Sequence, residues 1–411
     1  MIRQTENPPA VILNVGTGKF FLHQTAESLS ELGQLKVVIS GITKLPRIVQ
    51  IEALSEMPRI SRLKNRIHPL SSEVCEVQVF SGEILWQIGT IIAKSRYFNS
   101  VSKYFYFTAG KSFDFAARRY LKKSDPFNCV YHFRAGFGGG SIQVARNLGI
   151  PTICDHSISH PHYDWRTGKV SSGQTKGYFN LERLIFSDIN SADHVIVNSE
   201  FVAKTFLRCG DTRKLNVMTP PIDRKFVDIA RAPITDERVG IVFVGKCELR
   251  KGIDTFTDIV KRLPTSIPIY LAGSWTPEAA IFKRELEKLS NVQMLPYMGY
   301  IDIARLMRHS VIFLFPSRAE GSARVIGEAM HAGCIPFITR ESGVNFDSNT
   351  GFFLNGMTSN EIGKTIERIL SDRNEQMKYS ASARDSIELI EQSYLPDLLS
   401  LYKIASMNER R

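Results

Sequence analysis

The stretch VIFLFPSRAEGSARVIGEAMHAGCIPF, Val311 to Phe337, contains the pattern that decides the fold. An unbroken apolar run ends in a Pro-Ser loop, a helical pattern follows, and a second apolar run closes the stretch. Such runs on either side of one helix are typical of buried parallel strands. Two carboxylates, Glu320 and Glu328, lie in the loop and in the first turns of the helix. On their spacing alone they could be an acid/base pair, a metal site, hydroxyl-binding groups or two surface glutamates.

The same alternation continues through the C-terminal half of the chain. The predicted strands there are VGIVFVG, IPIYLAGS, VQMLPYM, VIFLFPS and IPFIT. Helical patterns separate them at 253–263, 277–289, 302–309 and 323–331. Strands that alternate with helices in this way predict an α/β domain with a parallel sheet and right-handed crossovers.

The N-terminal half repeats this pattern less cleanly. Its predicted strands are AVILNVG, LKVVISG, NCVYHF, IPTICDHS and DHVIVNS. A chain of 411 residues is too long for one typical domain, so we expect two doubly wound α/β domains. The polar stretch around Pro220 and Pro221, up to Gly240, is interpreted as the linker. We predict an N-terminal domain over 1–222, a second domain over 223–390 and a closing helix over 391–411.

Composition excludes several classes of protein. Hydrophobic residues make up 43% of the chain and charged residues 23%, which is ordinary for a globular protein. Six scattered cysteines without a CxxC pair indicate neither a zinc ribbon nor a disulfide framework. MIRQTENPPAV does not read as a signal peptide, and no apolar run approaches the roughly 20 residues that span a bilayer. We expect a cytoplasmic protein that, if it meets a membrane, lies on its cytoplasmic face.

The formal net charge is +11, and a basic aromatic segment lies between residues 91 and 126. Eight basic residues are interleaved there with nine aromatic ones, against only Asp114 and Asp125. Basic side chains attract anionic phosphates and aromatic rings suit the headgroup boundary, which favours contact with an anionic membrane surface. The alternative is an amphipathic helix pair whose aromatic residues are core. No recognised nucleic-acid module accompanies the segment, so no nucleic-acid partner is expected.

Three cations follow the first strand of the second domain, in FVGKCELRKG. Lys246 comes directly after the strand, and Arg250 and Lys251 precede the next helix. Ligands of open α/β sheets bind beyond the carboxyl ends of strands, where helix N-termini add amides and a favourable dipole. The three side chains are therefore candidates for a diphosphate site, and the alternative is a solvated loop.

The two glutamates of the opening stretch follow a later strand of the same sheet. The small residues after Glu320, Gly321-Ser322-Ala323, would let backbone amides approach a ligand. Ionised carboxylates are strong two-oxygen acceptors, so Glu320 and Glu328 could hold vicinal hydroxyls of a ribose or a hexose. No nearby Asp-x-Asp or histidine cluster completes a metal site, so none is expected.

A histidine candidate lies in IPTICDHSISHPHYDW. His156 ends a predicted strand, and Asp155 could help to position it. A structural histidine is the main alternative. A metal site formed with His160 and His162 is a lesser one, because their spacing suits no helix face.

Two glycine loops follow strands of the N-terminal half. GTGK, residues 16–19, resembles a phosphate loop but lacks the Walker spacing and the following Ser or Thr. FRAGFGGGS, residues 133–141, precedes a predicted helix. We interpret its glycines as residues that permit tight packing.

The order of these motifs resembles the retaining GT-B glycosyltransferases of family 4, also called group 1. The resemblance rests on FVGK…RKGIDTF, LAGS, MGY, FPSRAEGSARVIGEAMHAGCIPF and SGVNF…NTGFFLNG. Two glutamates with seven residues between them are that family's signature. The stretch from SADHVIVNSEF to PPIDRKF and the final YLPDLLSLYKI also resemble the family, whereas residues 40–126 do so weakly. The resemblance implies two Rossmann-like domains facing a cleft, with the last helix crossing back to the first.

The resemblance also implies roles for the cations and the glutamates. Lys246, where the family usually has Arg, and Lys251 would hold the donor diphosphate and stabilise the charge on the leaving group. That electrostatic role would replace a metal, so no cofactor is implied. Glu320 would orient the donor sugar and Glu328 would bind the ribose hydroxyls. Backbone amides of the residues from Ser322 to Val325 would reach the sugar or the phosphate.

Further positions follow from the same resemblance. Tyr300 and Ile301 lie where the nucleobase is usually held. His156 matches a histidine that often faces the donor sugar and the acceptor. Gly16 and Gly18, and with them Lys19, would lie over the cleft near the acceptor and the donor phosphate.

The chain departs from the family pattern between the glutamates. Ser322 and Ala323 replace an aromatic residue and a glycine, and Arg324 follows them. Alanine adopts a positive φ less readily than glycine does. An arginine this close to the sugar could bind an anionic or unusual donor, so the donor's identity is open.

The hypothesis is a metal-independent, retaining glycosyltransferase that uses a nucleoside-diphosphate sugar. Its acceptor would be a hydroxyl of a glycan or of a lipid-linked saccharide, in the assembly of a cell-surface polysaccharide or glycolipid. The alternatives on the same fold are a sugar-nucleotide epimerase, a glycan phosphorylase with a lysine-bound pyridoxal cofactor, and a non-catalytic sugar-nucleotide-binding protein.

Overall fold

The computed structural model describes residues 8–17, 21–41, 74–93, 99–170, 181–233, 237–296 and 298–408. Gly18 and Lys19 of the first glycine loop lie outside the described residues, as do residues 94–98 of the basic aromatic segment. The described residues form two parallel sheets, one from each half of the chain, which confirms the predicted fold class.

The described residues of the first half form nine strands. They are β1 (Ala10–Gly16), β2 (Leu35–Ser40), β3 (Glu76–Gln78), β4 (Cys129–Arg134), β5 (Thr152–His156), β6 (Tyr163–Asp164), β7 (Lys169–Val170), β8 (His194–Val197) and β9 (Leu215–Val217). Seven of them form one parallel sheet in the order β3-β2-β1-β4-β5-β8-β9, while β6 and β7 form a separate antiparallel pair. Its helices are α1 (Leu22–Glu31), α2 (Phe80–Ile92), α3 (Asn99–Leu121), α4 (Gly140–Asn147), α5 (Leu181–Ser191) and α6 (Glu200–Arg208).

The central strands of this sheet are largely apolar because both of its faces are covered. Val11 and Leu13 of β1 lie in one core cluster, and Ile12 between them lies in the cluster on the opposite face. The pairing of β1 with β2 and β4 in parallel places their carboxyl ends at the same edge. The loops after these strands therefore meet at one edge of the first domain.

The second half forms a six-stranded parallel sheet. Its strands are β10 (Ile241–Val244), β11 (Ile269–Ala272), β12 (Val292–Leu295), β13 (Ile312–Phe315), β14 (Ile335–Ile338) and β15 (Phe352–Phe353). Their order is β12-β11-β10-β13-β14-β15, so β10 and β13 are neighbours at the centre of the sheet. The loops that carry the cations and Glu320 therefore start side by side.

Helices cover both faces of this second sheet. They are α7 (Arg224–Ala230), α8 (Ile253–Val260), α9 (Ala280–Leu286), α10 (Tyr300–His309), α11 (Arg324–His331) and α12 (Ser359–Ser371). Helix α7 lies inside the stretch interpreted as the linker, and its Phe226 and Ala230 are buried in the core of the second domain. The stretch interpreted as the linker therefore contains a helix that the sequence did not predict, because the apolar spacing of a short helix is hidden among polar neighbours.

The last helix, α13 (Arg373–Asn408), connects the two domains. Its Ala383 and Ile387 lie in the core of the second domain, whereas Leu398 and Tyr402 lie in a core cluster of the first. This confirms the helix that crosses back to the first domain. It begins at Arg373, well before residue 391, because its first half belongs to the packing of the second domain.

The basic aromatic segment contributes to a helical hairpin, α2 and α3. Phe113 is fully buried, and the Trp86 ring packs at a tilt against Tyr106 with 4.6 Å between ring centroids. Tyr104 and Phe115 are instead 45% and 60% exposed, so only part of the aromatic set is core. Among the described residues, no helix combines the length and the apolar character needed to span a bilayer.

Candidate active site at the carboxyl edges of the sheets

The loop after β10 brings two of its three cations to the glutamate that follows β13. Arg250 Nη1 lies 3.0 Å from Oε1 of Glu320, and Lys251 Nζ lies 3.1 Å from the same oxygen. Lys251 also lies 5.1 Å from the centre of the Phe315 ring, at the end of β13. Side-chain exposures of 17% for Lys251 and 14% for Glu320 leave both groups partly open to solvent. The sequence-predicted residues Arg250, Lys251 and Glu320 therefore form one cluster.

Lys246 joins this cluster through a residue that the sequence did not single out. Glu248 Oε2 lies 3.2 Å from Lys246 Nζ, and its Oε1 accepts a hydrogen bond of 2.8 Å from Arg250. Burial alone would raise the pKa of Glu248, but Arg250 and Lys246 outweigh it and the pKa is lowered. Lys246 is 55% exposed, so it is the most accessible of the three cations. Glu248 could have been found as the one acid between two cations in KCELRK.

Glu328 lies on the second turn of α11 and is half-buried. Burial raises the pKa of its carboxyl group, while Arg324, one turn earlier, lowers it and Asp223 raises it further. A carboxyl group in this half-buried setting is partly shielded from water. Hydroxyl donors of a ligand would therefore find little competition for its oxygens.

The residues between the glutamates form the N-terminus of α11. Ala323 is the N-cap residue with φ −71° and ψ 92°, and its amide donates to the Ser342 carbonyl at 3.0 Å. Alanine is therefore accommodated without positive φ, and the restriction anticipated from the sequence does not apply. Ser322, Arg324 and Val325 are all partly exposed at this helix end. No side chain caps the helix, so its first amides remain available to a ligand.

Gly321 lies at a contact between the two domains. Any Cβ atom at this position would overlap the carbonyl oxygen of Ser157, which follows β5 in the first domain. The Gly321 carbonyl accepts a hydrogen bond from the Ser199 hydroxyl, after β8. The glycine after Glu320 is therefore required by close approach of the first domain, and Glu320 lies at the boundary between the domains.

His156 is adjacent to this contact, but its ring points elsewhere. The side chain is 2% exposed, Nε2 lies 3.2 Å from the Ser159 carbonyl oxygen, and the ring packs edge-on against Phe206. Burial lowers the pKa of His156 to about 4; the Ser159 carbonyl opposes this shift and His160 adds to it. The geometry favours the structural role that the sequence left open. The catalytic role stays a prediction.

Asp155 does not position His156, contrary to the expectation from the sequence. Successive side chains of a strand point to opposite faces, so Asp155 faces the last helix. Its Oδ2 lies 3.8 Å from His132 Nε2, and His132 Nδ1 lies 2.7 Å from the hydroxyl of Tyr402. Burial raises the pKa of Asp155. This buried polar group joins the first sheet to α13 and was not anticipated.

The other predicted positions are less closely connected to the cluster. Tyr300 and Ile301 begin α10, after the edge strand β12, and are 52% and 39% exposed. Gly16 ends β1 with φ +74°, and a side chain there would clash with the ring of Phe137. Gly18 lies outside the described residues, so no contact can be assigned to it.

The second glycine loop holds a buried carboxylate rather than only packing tightly. The amides of Gly136 and Gly138 each donate to Asp188 Oδ2 at 2.8 Å, and the amide of Gly139 donates to Oδ1 at 2.7 Å. Burial raises the pKa of Asp188 to about 6, although these three hydrogen bonds oppose the shift. Asp188 lies on α5, about fifty residues away, and no local signal points to it.

The histidines do not assemble a metal centre. His160 Nε2 lies 4.0 Å from Asp211, and its Nδ1 accepts a hydrogen bond from the amide of His162. In the part of the chain that the structure describes, no three His, Cys, Asp or Glu side chains are grouped so that they could hold a metal ion.

Comparison with known proteins finds one matching family model and a shared fold. Residues 225–386 match the family described as glycosyl transferases group 1, and this region contains all three cations and both glutamates. Comparison with curated proteins finds no match.

Solved structures share the fold over nearly the whole chain. HepE of Anabaena, solved in complex with UDP, is 14% identical with a TM-score of 0.61 over 95% of this chain and 100% of that one. Sucrose-phosphate synthase of Thermosynechococcus elongatus is 18% identical with a TM-score of 0.64 over 96% and 98%. TarM of S. aureus is 12% identical with a TM-score of 0.64 over 97% and 99%. The fold is therefore GT-B, and with the group 1 match it supports a glycosyltransferase.

Proposed function

We propose that this chain is a retaining glycosyltransferase of family 4 that needs no metal ion. It transfers a sugar from a nucleoside-diphosphate sugar to a hydroxyl of a glycan or of a lipid-linked saccharide. The setting is the assembly of a cell-surface polysaccharide or glycolipid, at the cytoplasmic side of a membrane.

The observation that carries the proposal is the convergence of Arg250 and Lys251 on Glu320, at the adjoining ends of β10 and β13. Lysine and arginine beside an uncapped helix end make a site for the diphosphate of a donor. A carboxylate has room for about four hydrogen bonds, so Glu320 can keep both ion pairs and still accept from sugar hydroxyls. HepE, which has the same fold, is solved with UDP-glucose, and this supports a nucleotide sugar as the donor.

The proposed reaction is a front-face displacement. The bond between the anomeric carbon and the diphosphate oxygen breaks, and the diphosphate leaves with the electron pair. The acceptor hydroxyl oxygen bonds to the anomeric carbon from the same face and gives its proton to the leaving diphosphate. Lys251 and Arg250 stabilise the negative charge that develops on the leaving group, which is the largest contribution expected from the protein. His156 is assigned no proton transfer, because its Nε2 is engaged by Ser159.

A panel of nucleoside-diphosphate sugars tests the proposal in two stages. A donor that binds the folded chain should raise its thermal unfolding midpoint. With an acceptor, that donor should release nucleoside diphosphate, and release should persist in the presence of a metal chelator. Glu328→Gln should weaken donor binding by at least about tenfold, because it removes a charged acceptor of hydrogen bonds.

Glu287→Gln is the matched control, because this glutamate lies on the surface near α9 with its side chain 50% exposed. It should bind the donor as the wild type does. Isomerisation of the donor without an acceptor would identify an epimerase instead. Absence of binding to every nucleotide sugar would refute the proposal.

A further inference from the structure

The hairpin of α2 and α3 presents an apolar stripe to solvent. On α2, Phe80, Ile84 and Ile91 are 42%, 53% and 67% exposed, and the partly exposed Ile88 lies between the last two. Residues at these spacings lie on one face of a helix. Helices in the core of a soluble protein bury such a stripe, so a solvent-facing one indicates an interaction surface.

The charges of the hairpin are sorted in the same direction. Its described residues contain only two acids, and both are buried, Glu83 at 5% and Asp114 at 3% exposure. Asp114 Oδ1 accepts a hydrogen bond of 2.8 Å from the Ser141 amide, so this carboxylate is hydrogen-bonded inside the fold. The exposed basic residues of α3 and of the turn after it are Lys103, Lys111, Arg119, Lys122 and Lys123, against one exposed acid, Asp125, just after the turn. We call these exposed side chains of the hairpin, apolar on α2 and basic on α3 and the turn after it, its outer face.

The two kinds of side chain meet at a groove between the start of α2 and the middle of α3. The groove has a volume of about 490 Å³, and Phe80, Lys111 and Phe115 are among its lining residues. The Lys111 ammonium lies 5.6 Å from the centre of the Phe107 ring. A cation beside a groove lined by exposed rings suits a phosphate headgroup whose attached chains lie in an apolar layer.

The hairpin is also joined to the carboxyl edge of the first sheet. Phe137, in the loop after β4, packs edge-on against Phe113 of α3 with 5.3 Å between ring centroids. The same ring fills the space beside Gly16, at the end of β1. The outer face of the hairpin is therefore fixed in position relative to the loops at the sheet edge.

We infer that the outer face of the α2–α3 hairpin docks on an anionic lipid bilayer, with the isoleucine stripe in the headgroup boundary and the cations on lipid phosphates. The sorting of acids inward and cations outward favours this occupant over a second copy of the chain, whose own basic face would be repelled. The inference deepens the proposed function, because it places the first domain where a lipid-linked acceptor would be found. It concerns lipid binding alone and is tested without donor or acceptor.

Co-sedimentation of the full chain with phosphatidylcholine vesicles, with and without phosphatidylglycerol, is the test. Binding should require phosphatidylglycerol and weaken as salt is raised. Each basic residue near an anionic surface contributes about fivefold to binding, so Lys111→Glu with Arg119→Glu should reduce it by at least about 25-fold. Ile84→Asp with Ile91→Asp should reduce it by about tenfold or more.

Matched controls lie on other surfaces of the chain. Arg284→Glu with Lys288→Glu makes the same change of charge on exposed residues at and just after α9. Ile281→Asp with Leu389→Asp replaces apolar side chains that are 55% and 70% exposed. Both controls should bind vesicles as the wild type does.

Several outcomes would overturn the inference. These are no binding to phosphatidylglycerol vesicles, equal binding by the hairpin variants, and equal loss in the controls. Sedimentation velocity would expose the alternative occupant: a dimer that the hairpin variants dissociate would assign this face to a second copy. The hairpin variants should lose vesicle binding but release nucleoside diphosphate as the wild type does when the acceptor is water-soluble. This result would show that lipid binding and sugar transfer depend on different surfaces, so either proposal can fail without the other.

Discussion

The carboxyl edges of the two sheets use their polar groups in different ways. At the edge of the second sheet, Lys246, Arg250 and Lys251 pair with glutamates that remain partly exposed. At the edge of the first sheet, amides of the second glycine loop donate hydrogen bonds to the Asp188 carboxylate. The Nε2 of His156 lies at hydrogen-bond distance from the Ser159 carbonyl in its own loop. One edge keeps charges within reach of a ligand, whereas the other uses its donors to stabilise the fold.

The difference shows why a glycine-rich loop is weak grounds for an anion site. A run of exposed backbone amides can bind a phosphate, but the same amides can equally bind a carboxylate of the chain itself. Which of the two happens depends on a residue far away in sequence. The distinction can be tested, because the first edge should respond to mutation in stability and the second in activity.

The largest effect is expected for Lys251→Ala at the second edge. Turnover should fall by about 10² to 10³-fold, because a preorganised charge at the leaving group is lost. The free energy of unfolding should change by less than about 1 kcal/mol, since Glu320 keeps its contact with Arg250. Initial rates of nucleoside diphosphate release and urea unfolding measure the two quantities.

Lys261→Ala is the control for this change, because Lys261 forms a surface ion pair of 3.0 Å with Glu285 away from the cluster. It should leave both quantities unaltered. Normal turnover in Lys251→Ala would mean that the ion pairs of the second edge are structural too, and the contrast between the edges would disappear.

The next largest effect is expected for Asp188→Ala, at the carboxyl edge of the first sheet. Three amides, two buried and one partly buried, lose their acceptor, so the free energy of unfolding should fall by about 3 kcal/mol or more. Asp188→Asn keeps an acceptor oxygen and should lose clearly less. Denaturant unfolding measures both variants, and donor affinity of the folded fraction should change little. An equal, large loss of donor affinity would instead assign the glycine loop to ligand binding.

The smallest effect concerns the pH dependence that His156 contributes. Burial lowers the pKa of His156 to about 4, from 6.5. Between these values the unfolded chain takes up a proton that the folded chain does not, so stability falls as pH falls. From pH 7 to about pH 5 the wild type should lose about 2 kcal/mol more than His156→Gln, which keeps a donor for Ser159.

Unfolding of the two proteins in parallel across this range isolates the histidine, because the other titrating groups are shared. Identical pH profiles would show that the imidazole is not held neutral in the folded state. His156 would then be open to ligands, as its predicted catalytic role requires.

The sequence was a good guide to the fold because strands and helices depend on local pattern. The apolar run before Glu320 and the helical spacing around Glu328 predicted β13 and α11, and both are observed. Helix α7 was missed because its apolar residues are few and are buried against helices distant in sequence. The predicted cluster of Arg250, Lys251 and Glu320 followed from a simple rule, since neighbouring parallel strands end at the same edge.

Other features of the candidate site could not be read from local pattern. Gly321 was overlooked as the residue that the first domain contacts. The orientation of Asp155 away from His156 follows from strand alternation, but its contact with His132, whose ring reaches Tyr402, needs the last helix in place. In each case the partner is supplied by another element of the fold.

The sequence by itself determined which segments form strands and helices, which charges follow the strands, and the spacing of the two glutamates. The tertiary structure alone decided which of these polar groups are satisfied within the chain and which remain within reach of a ligand. The physical reason is that a hydrogen bond or an ion pair depends on the position of its partner. For Gly138 and Asp188, or for Arg250 and Glu320, that partner is at least fifty residues away.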